Sequence, residues 1–315
     1  MWAFFEPARG GVIPNITGEE ELLVANTLSS TTWSVIQAVG FAAGGVVAAA
    51  AGRDAVFVIN AGTFLASAAL IQAMRFDEPH LRGAPPVRAR ELADFSPMME
   101  GLRYIGSRRR LLAALLAKTG LGLMGTTWVI LPVLGERDFP VLYGPFGASS
   151  GGLLGMSFLL GARGLGSLVG PLAASRWAGR EQARLLSGIL YGFVAGAAGL
   201  LMLGWASSFS FALAAIVLAH AGGSTVWVFT TTILQTHTDD RFRGRVLSAD
   251  FAFHVVIVSA AAYLAGVFID QGASPKLISA VSGASMLLPA LAWAVVMRLW
   301  GQSAADASAA DDRNP

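Results

Sequence analysis

The 315-residue chain has no cysteine, two lysines (Lys118 and Lys276) and few charges of either sign, 13% in all. Soluble domains carry roughly 25% charged residues, so this chain lacks the polar surface that water would require. The missing thiols exclude disulfide scaffolds, thiolate metal sites and thiol catalysis together. There is no GxxxxGKS/T phosphate loop and no HExxH helix. ATP hydrolysis by a phosphate loop and HExxH-type metallopeptidase chemistry are therefore unsupported within this chain, and no cofactor or metal is implied. A net charge of +2 gives no nucleic-acid-binding patch.

What is present is apolar: 54% of residues, with a mean hydropathy of +0.60. A bilayer core needs roughly 20 apolar residues of helix to cross it. Eight segments meet that length: 24–50, 55–74, 111–134, 151–175, 183–205, 209–234, 246–269 and 276–300. Hydrocarbon offers no water to open backbone groups, so these segments must be helical. The alternating pattern of barrel strands is absent. The expected fold is all-α and polytopic, with the lipid bilayer as its main partner.

Arginine placement gives the expected orientation, because Lys and Arg are retained on the cytoplasmic side. Seventeen of the 22 basic residues fall in one set of loops and the tail, and three (Arg53, Arg137, Lys276) in the other. Both ends are therefore expected in the cytoplasm of a plasma-membrane protein. The longest connection, 75–110, begins Pro- and Arg-rich. Ser96-Pro97 then reads as an N-cap with proline at the first helical position. Met98, Leu102 and Ile105 follow at helical spacing, which predicts an amphipathic helix on the inner membrane surface. The Ala-, Asp- and Ser-rich tail, 301–315, is expected to be disordered. Gly45-Val46-Val47 through Gly52 resembles Gly266-Val267-Phe268 through Gly272, a faint parallel repeat of the kind found in two-halved transporters.

Several residues could carry chemistry. Arg163, near the middle of 151–175, costs about 3 kcal/mol or more at that depth unless it meets water or a counter-ion. It is expected either to line a substrate pathway and meet an anionic group, or to pair with a neighbouring helix. Gln37, Asn60 and His220 are polar residues inside spans, suited to interhelical hydrogen bonds and candidates for the same pathway. Asp250 and His254 share a helix face and could pass protons. The alternative places Asp250 in the first turn of its helix, favouring the dipole. Lys118 is close enough to a span's end to snorkel. Gly40/Gly44, Gly166/Gly170 and Gly192/Gly196 form small-residue ridges for close helix contact. His237-Thr238-Asp239-Asp240 has no further metal ligands nearby in sequence.

Phe5-Glu6-Pro7-Ala8-Arg9-Gly10-Gly11-Val12-Ile13-Pro14, leading through Ala25-Asn26 to Gly40 and Gly44-Gly45, resembles the region joining the fourth and fifth helices of major facilitator superfamily exporters. The closest resemblance is to the enterobactin-exporter-like, or transmembrane secretion effector, branch. Leu234-Gln235-Thr236 with Arg243-Gly244-Arg245-Val246 resembles the loop before that branch's eleventh helix. Gly170-Pro171-Leu172 running to Gly179-Arg180 and Arg184 looks like a degenerate copy of the superfamily's cytoplasmic Gly-and-Arg loop.

The resemblance implies an incomplete twelve-helix fold in which the eight spans match helices five to twelve. Residues 1–74 would be the remnant of an N-terminal bundle, 75–110 the linker and 111–300 a six-helix C-terminal bundle. It implies alternating access and efflux of a small-molecule substrate, usually against protons. A truncated, non-transporting remnant or assembly partner is the rival expectation. A membrane enzyme is the second, resting only on the loop at His237. Nothing in the sequence bears on oligomeric state.

Overall fold

The computed structural model describes residues 13, 17, 19–73, 96–141, 151–179 and 181–311. Among these the structure is helical throughout, with no strand. Helices α1 (Leu22–Ala51) and α2 (Arg53–Ala73) precede the short α3 (Ser96–Gly106). The next span is composite: α4 (Arg109–Leu121), a 3-10 stretch (Gly122–Thr126) and α5 (Thr127–Arg137). Three long helices follow, α6 (Gly151–Ala178), α7 (Gln182–Gly204) and α8 (Phe209–Thr236). Then come α9 (Asp240–Asp270), α10 (Pro275–Ser285) and α11 (Leu287–Asp311). Seven of these spans are long and apolar enough to cross a bilayer. The eighth predicted span, α2, carries a shorter apolar stretch, Asp54–Leu70.

Two spans are broken for local reasons. At 122–126 the chain tightens where glycines let it press on α9: a Cβ on Gly122 would meet Ile257, and one on Gly125 the backbone of Val258. Between α10 and α11, Pro289 lacks the amide that would close on Ser285, and the helix interrupts at Met286. Gly179 takes a left-handed φ of 56° after α6, and Arg184 Nη1 donates to the carbonyl of Trp177 at 3.1 Å. That turn satisfies a helix end that would otherwise be open. In the faint repeat, Gly52 and Gly272 follow their helices at φ 84° and 95°.

Lipid tails are as apolar as leucine, so packing and interhelical hydrogen bonds hold such spans together. Gly166 and Gly170 let α6 lie directly against Val217 and Ala221 of α8, and Gly192 faces Gly222 across α7 and α8. Gly40 and Gly44 do not follow this pattern: space beside them is open among the described residues, and Gly45 meets Ser157 instead. Ser279 donates to the Leu200 carbonyl at 2.8 Å and Trp293 Nε1 to that of Leu186 at 2.9 Å. Apolar layers around Phe193 and Phe229 at one end, and around Ile130 and Leu159 at the other, fill the bundle.

Helix α3 forms as expected from Ser96, but its apolar side rests on protein. Ile105 is buried, and Tyr104 stacks on Phe242 with ring centroids 4.2 Å apart. Helix α11 runs on to Asp311, past the point where a disordered tail is expected. Alanine has the best intrinsic helix propensity, and this stretch is rich in it.

Candidate functional site

A cavity of about 480 Å³ lies between α1 and the six-span bundle. Polar side chains recur along one face of each apolar helix that lines it. Helix α1 contributes Asn26, Ser30, Ser34 and Gln37 at helical spacing. Helix α8 contributes His220, Ser224, Trp227, Thr231 and Gln235, and α9 contributes Asp250 and His254. Helix α4 supplies Lys118, and α6 supplies Arg163 and Ser167. The polar atoms that hydrocarbon would reject thus converge on one interior space.

Two charged stations stand in this space. Nearer the arginine-rich end, Lys118 Nζ donates to Asp250 Oδ2 at 2.6 Å and to Thr231 Oγ1 at 2.8 Å. It also sits 3.7 Å from the centroid of the Trp227 ring. The pair is nearly sealed, with side-chain exposures of 3% and 2%. His254 Nδ1 lies 3.1 Å from the Lys118 carbonyl oxygen, and its ring meets Trp227 edge-on at 5.0 Å. Asp250 Oδ1 has no hydrogen-bond partner among the described residues. Snorkelling does not describe Lys118: its ammonium turns inward to a carboxylate rather than outward to the headgroups. Asp250 is not in a first helical turn either, because α9 begins at Asp240.

The second station is Arg163, about 18 Å along α6 from Gly151 at 1.5 Å per residue. Its guanidinium stacks on Trp128, 3.7 Å from the ring centroid. Nε and Nη1 are buried and have no partner among the described residues, and the same is true of His220 Nε2. Buried donors are nearly always satisfied, so unpaired ones directly behind a cavity wall mark a place where a compensating group is missing among the described residues.

Of the expected pathway residues, Arg163, Gln37 and His220 line the cavity together with Asp250 and His254. Asn60 does not: it lies on the exposed face of α2, away from the cavity. Lys118, Thr231 and the tryptophans 33, 128 and 227 are lining residues that sequence reasoning did not assign.

The loop motifs fare differently. Gly170 is interior to α6 rather than in a loop, since the helix continues to Ala178. Gly179 and Arg184 form the turn described above. Arg243 pairs with Asp240 at 2.7 Å and Arg245 with Glu100 of α3, while a Cβ on Gly244 would enter open space. Pro7, Arg9 and Arg180 lie outside the described residues. His237 Nδ1 is 3.1 Å from the Ile233 carbonyl within its own helix.

At the arginine-rich end, Asn26 Nδ2 donates to Gln235 Oε1 at 2.5 Å and to Thr232 Oγ1 at 3.3 Å. Thr27 and Ser175 share a hydroxyl hydrogen bond of 2.7 Å. These contacts join α1 to α8 and α6 beside the cavity.

Membrane-spanning helices around an interior cavity whose largely apolar wall carries charged stations are the architecture of a polytopic transport protein. Residues 1–253 match the Major Facilitator Superfamily, and the chain belongs to that family. An uncharacterized MFS-type transporter of Bacillus subtilis (strain 168), YfmI, is 25% identical over 297 residues, 90% of this chain and 69% of that protein. The crystal structure of the Escherichia coli fucose:proton symporter FucP shares the fold at TM-score 0.55 and 17% identity. That match covers 91% of this chain and 73% of FucP.

Proposed function

We propose that this chain is an exporter, a secondary active transporter moving a siderophore- or drug-like molecule out of a bacterial-type cell. It works by alternating access in exchange for protons, with the arginine-rich end and both termini in the cytoplasm. The observation that carries this reading is the shared cavity, in which Arg163 and the Lys118–Asp250–His254 group face the same space. The motifs around Arg9 and Arg243, similar to those of the enterobactin-exporter-like branch, support export over uptake.

The chemistry of the lower station suits proton exchange. A proton arriving at Asp250 neutralises the carboxylate and removes the counter-charge of Lys118. The freed ammonium is then a buried, unpaired cation, an arrangement unstable enough to drive rearrangement of the helices around it. His254, one helical turn from Asp250, is placed to relay the proton.

The test is efflux in a transporter-deficient host over a panel of siderophores and drugs, followed by everted vesicles with an imposed pH gradient. Asp250→Asn and His254→Ala are expected to abolish gradient-driven transport of the identified substrate. Retention of gradient-driven transport in both variants would sink proton coupling at this station.

A further inference from the structure

We infer that the mid-span station is an anion subsite, and that the molecule carried is an amphiphilic organic monoanion with a planar apolar body. This rests on the reading of the cavity as the substrate site and names the class of substrate it takes.

The argument begins with charge. Among the described residues the charged side chains lining the cavity are Arg163, Lys118 and Asp250. Asp250 is already engaged by Lys118 at 2.6 Å. With the histidines neutral, one positive charge is left over, and it resides on Arg163. A lone guanidinium at this depth is expensive unless something anionic compensates it. No carboxylate among the described residues does so, and its Nε and Nη1 hydrogens have no acceptor there.

The ring of Trp128 lies over the guanidinium carbon at 3.7 Å and screens that side of the cation without neutralising it. Charge-assisted bonds from arginine suit a carboxylate or a similar planar oxyanion. His220 Nε2, also without a partner among the described residues, supplies a further polar contact on the same cavity wall.

The rest of the lining sets the remainder of the molecule. Trp33, Trp128, Trp227, Met124, Leu121 and Phe251 give the space broad aromatic and apolar walls. At about 480 Å³ it falls within the range of sites for drug-sized ligands. One uncompensated cation matches one anionic group; a polyanion would leave charge unpaired in the apolar part of the cavity. A cationic amphiphile, the other common export cargo, would face Arg163 without a free carboxylate to receive it.

The experiment is equilibrium binding of tritiated 2-naphthoate, neutral 2-naphthamide and cationic 2-naphthylmethylamine to the purified full chain. Phosphatidylcholine nanodiscs keep anionic headgroups away from the site. We expect naphthoate to bind at least about tenfold tighter than the amide, the ratio one charge-assisted hydrogen-bonded contact supplies. The amine should bind most weakly. Arg163→Gln should bring naphthoate down to the level of the amide, and Arg163→Lys should retain part of the preference.

The acid-to-amide ratio of the unmodified protein decides the matter even if Arg163→Gln fails to fold. Equal binding of acid and amide, preference for the amine, no naphthoate binding at millimolar concentration, or an unchanged ratio in a folded Arg163→Gln protein would each overturn the inference. No gradient is present in this assay. Charge selectivity without efflux in cells would count against the export reading alone, and efflux without charge selectivity against the anion subsite alone.

Discussion

Lys118 and Arg163 are both cations inside apolar helices, yet their surroundings differ in kind. Lys118 has a carboxylate, a hydroxyl and an indole face. Arg163 has an indole face alone among the described residues. Removing one member of a buried ion pair strands the other, at a cost of about 3–5 kcal/mol. Lys118→Met should therefore lower the thermal stability of the detergent-solubilised protein markedly, and the double variant Lys118→Met with Asp250→Leu should recover most of it. Differential scanning fluorimetry on the three proteins checks this; a double variant as unstable as the single would contradict it. Trp128→Leu should cost about 0.5–2 kcal/mol through loss of the stacked guanidinium, measured the same way. Arg163 was legible in the sequence because a lone cation amid glycines and leucines in mid-span stands out. Lys118 was not, because its partners lie 113 and 132 residues away and its distance from the helix end also suits snorkelling. Asn60 shows the reverse: a polar residue in a span does not tell whether its helix lines the cavity, and no residue of α2 does.

At the scale of elements, length and hydropathy located the seven spans long enough to cross a bilayer, since the hydrocarbon thickness imposes both, while the eighth expected span carries only a shorter apolar stretch, Asp54–Leu70. The breaks at 122–126 and at Met286 were not legible. They depend on which neighbour a glycine or proline faces, and that is a tertiary fact. The same holds for the glycine ridges. A Cβ on Gly170 would collide with the backbone of Ala221, whereas one on Gly40 would enter open space. Gly170→Val should separate α6 from α8, cost about 1–3 kcal/mol by overpacking and reduce membrane abundance. Gly40→Ala should be nearly neutral on both measures. Quantitative membrane immunoblots with thermal melts distinguish them, and equal effects would contradict the packing assigned to these ridges. The polar stripes on α1 and α8 are written into the sequence as i, i+4 repeats, and each stripe coincides with the face that forms the cavity wall.

For the molecule as a whole, the contacts between α1 and the bundle border the cavity. Packing of α1 against α6 runs past Gly45 and Gly164, while its polar bonds gather at Asn26 and Thr27. In the proposed cycle these bonds hold the arginine-rich side shut. Asn26→Ala should raise access from that side. A single cysteine introduced at Ser30, in a chain that has none of its own, should then react faster with a membrane-impermeant maleimide in everted vesicles. An unchanged labelling rate would refute the closure.

The bonds made by Asn26 and Thr27 are between amides and hydroxyls. Each such bond exchanges for one to water at little net cost, about 1 kcal/mol, and carries no Coulomb attraction for dissolved electrolyte to weaken. The contribution of these bonds to closure should accordingly be nearly indifferent to ionic strength. A latch of this kind would hold equally well in dilute and in briny surroundings.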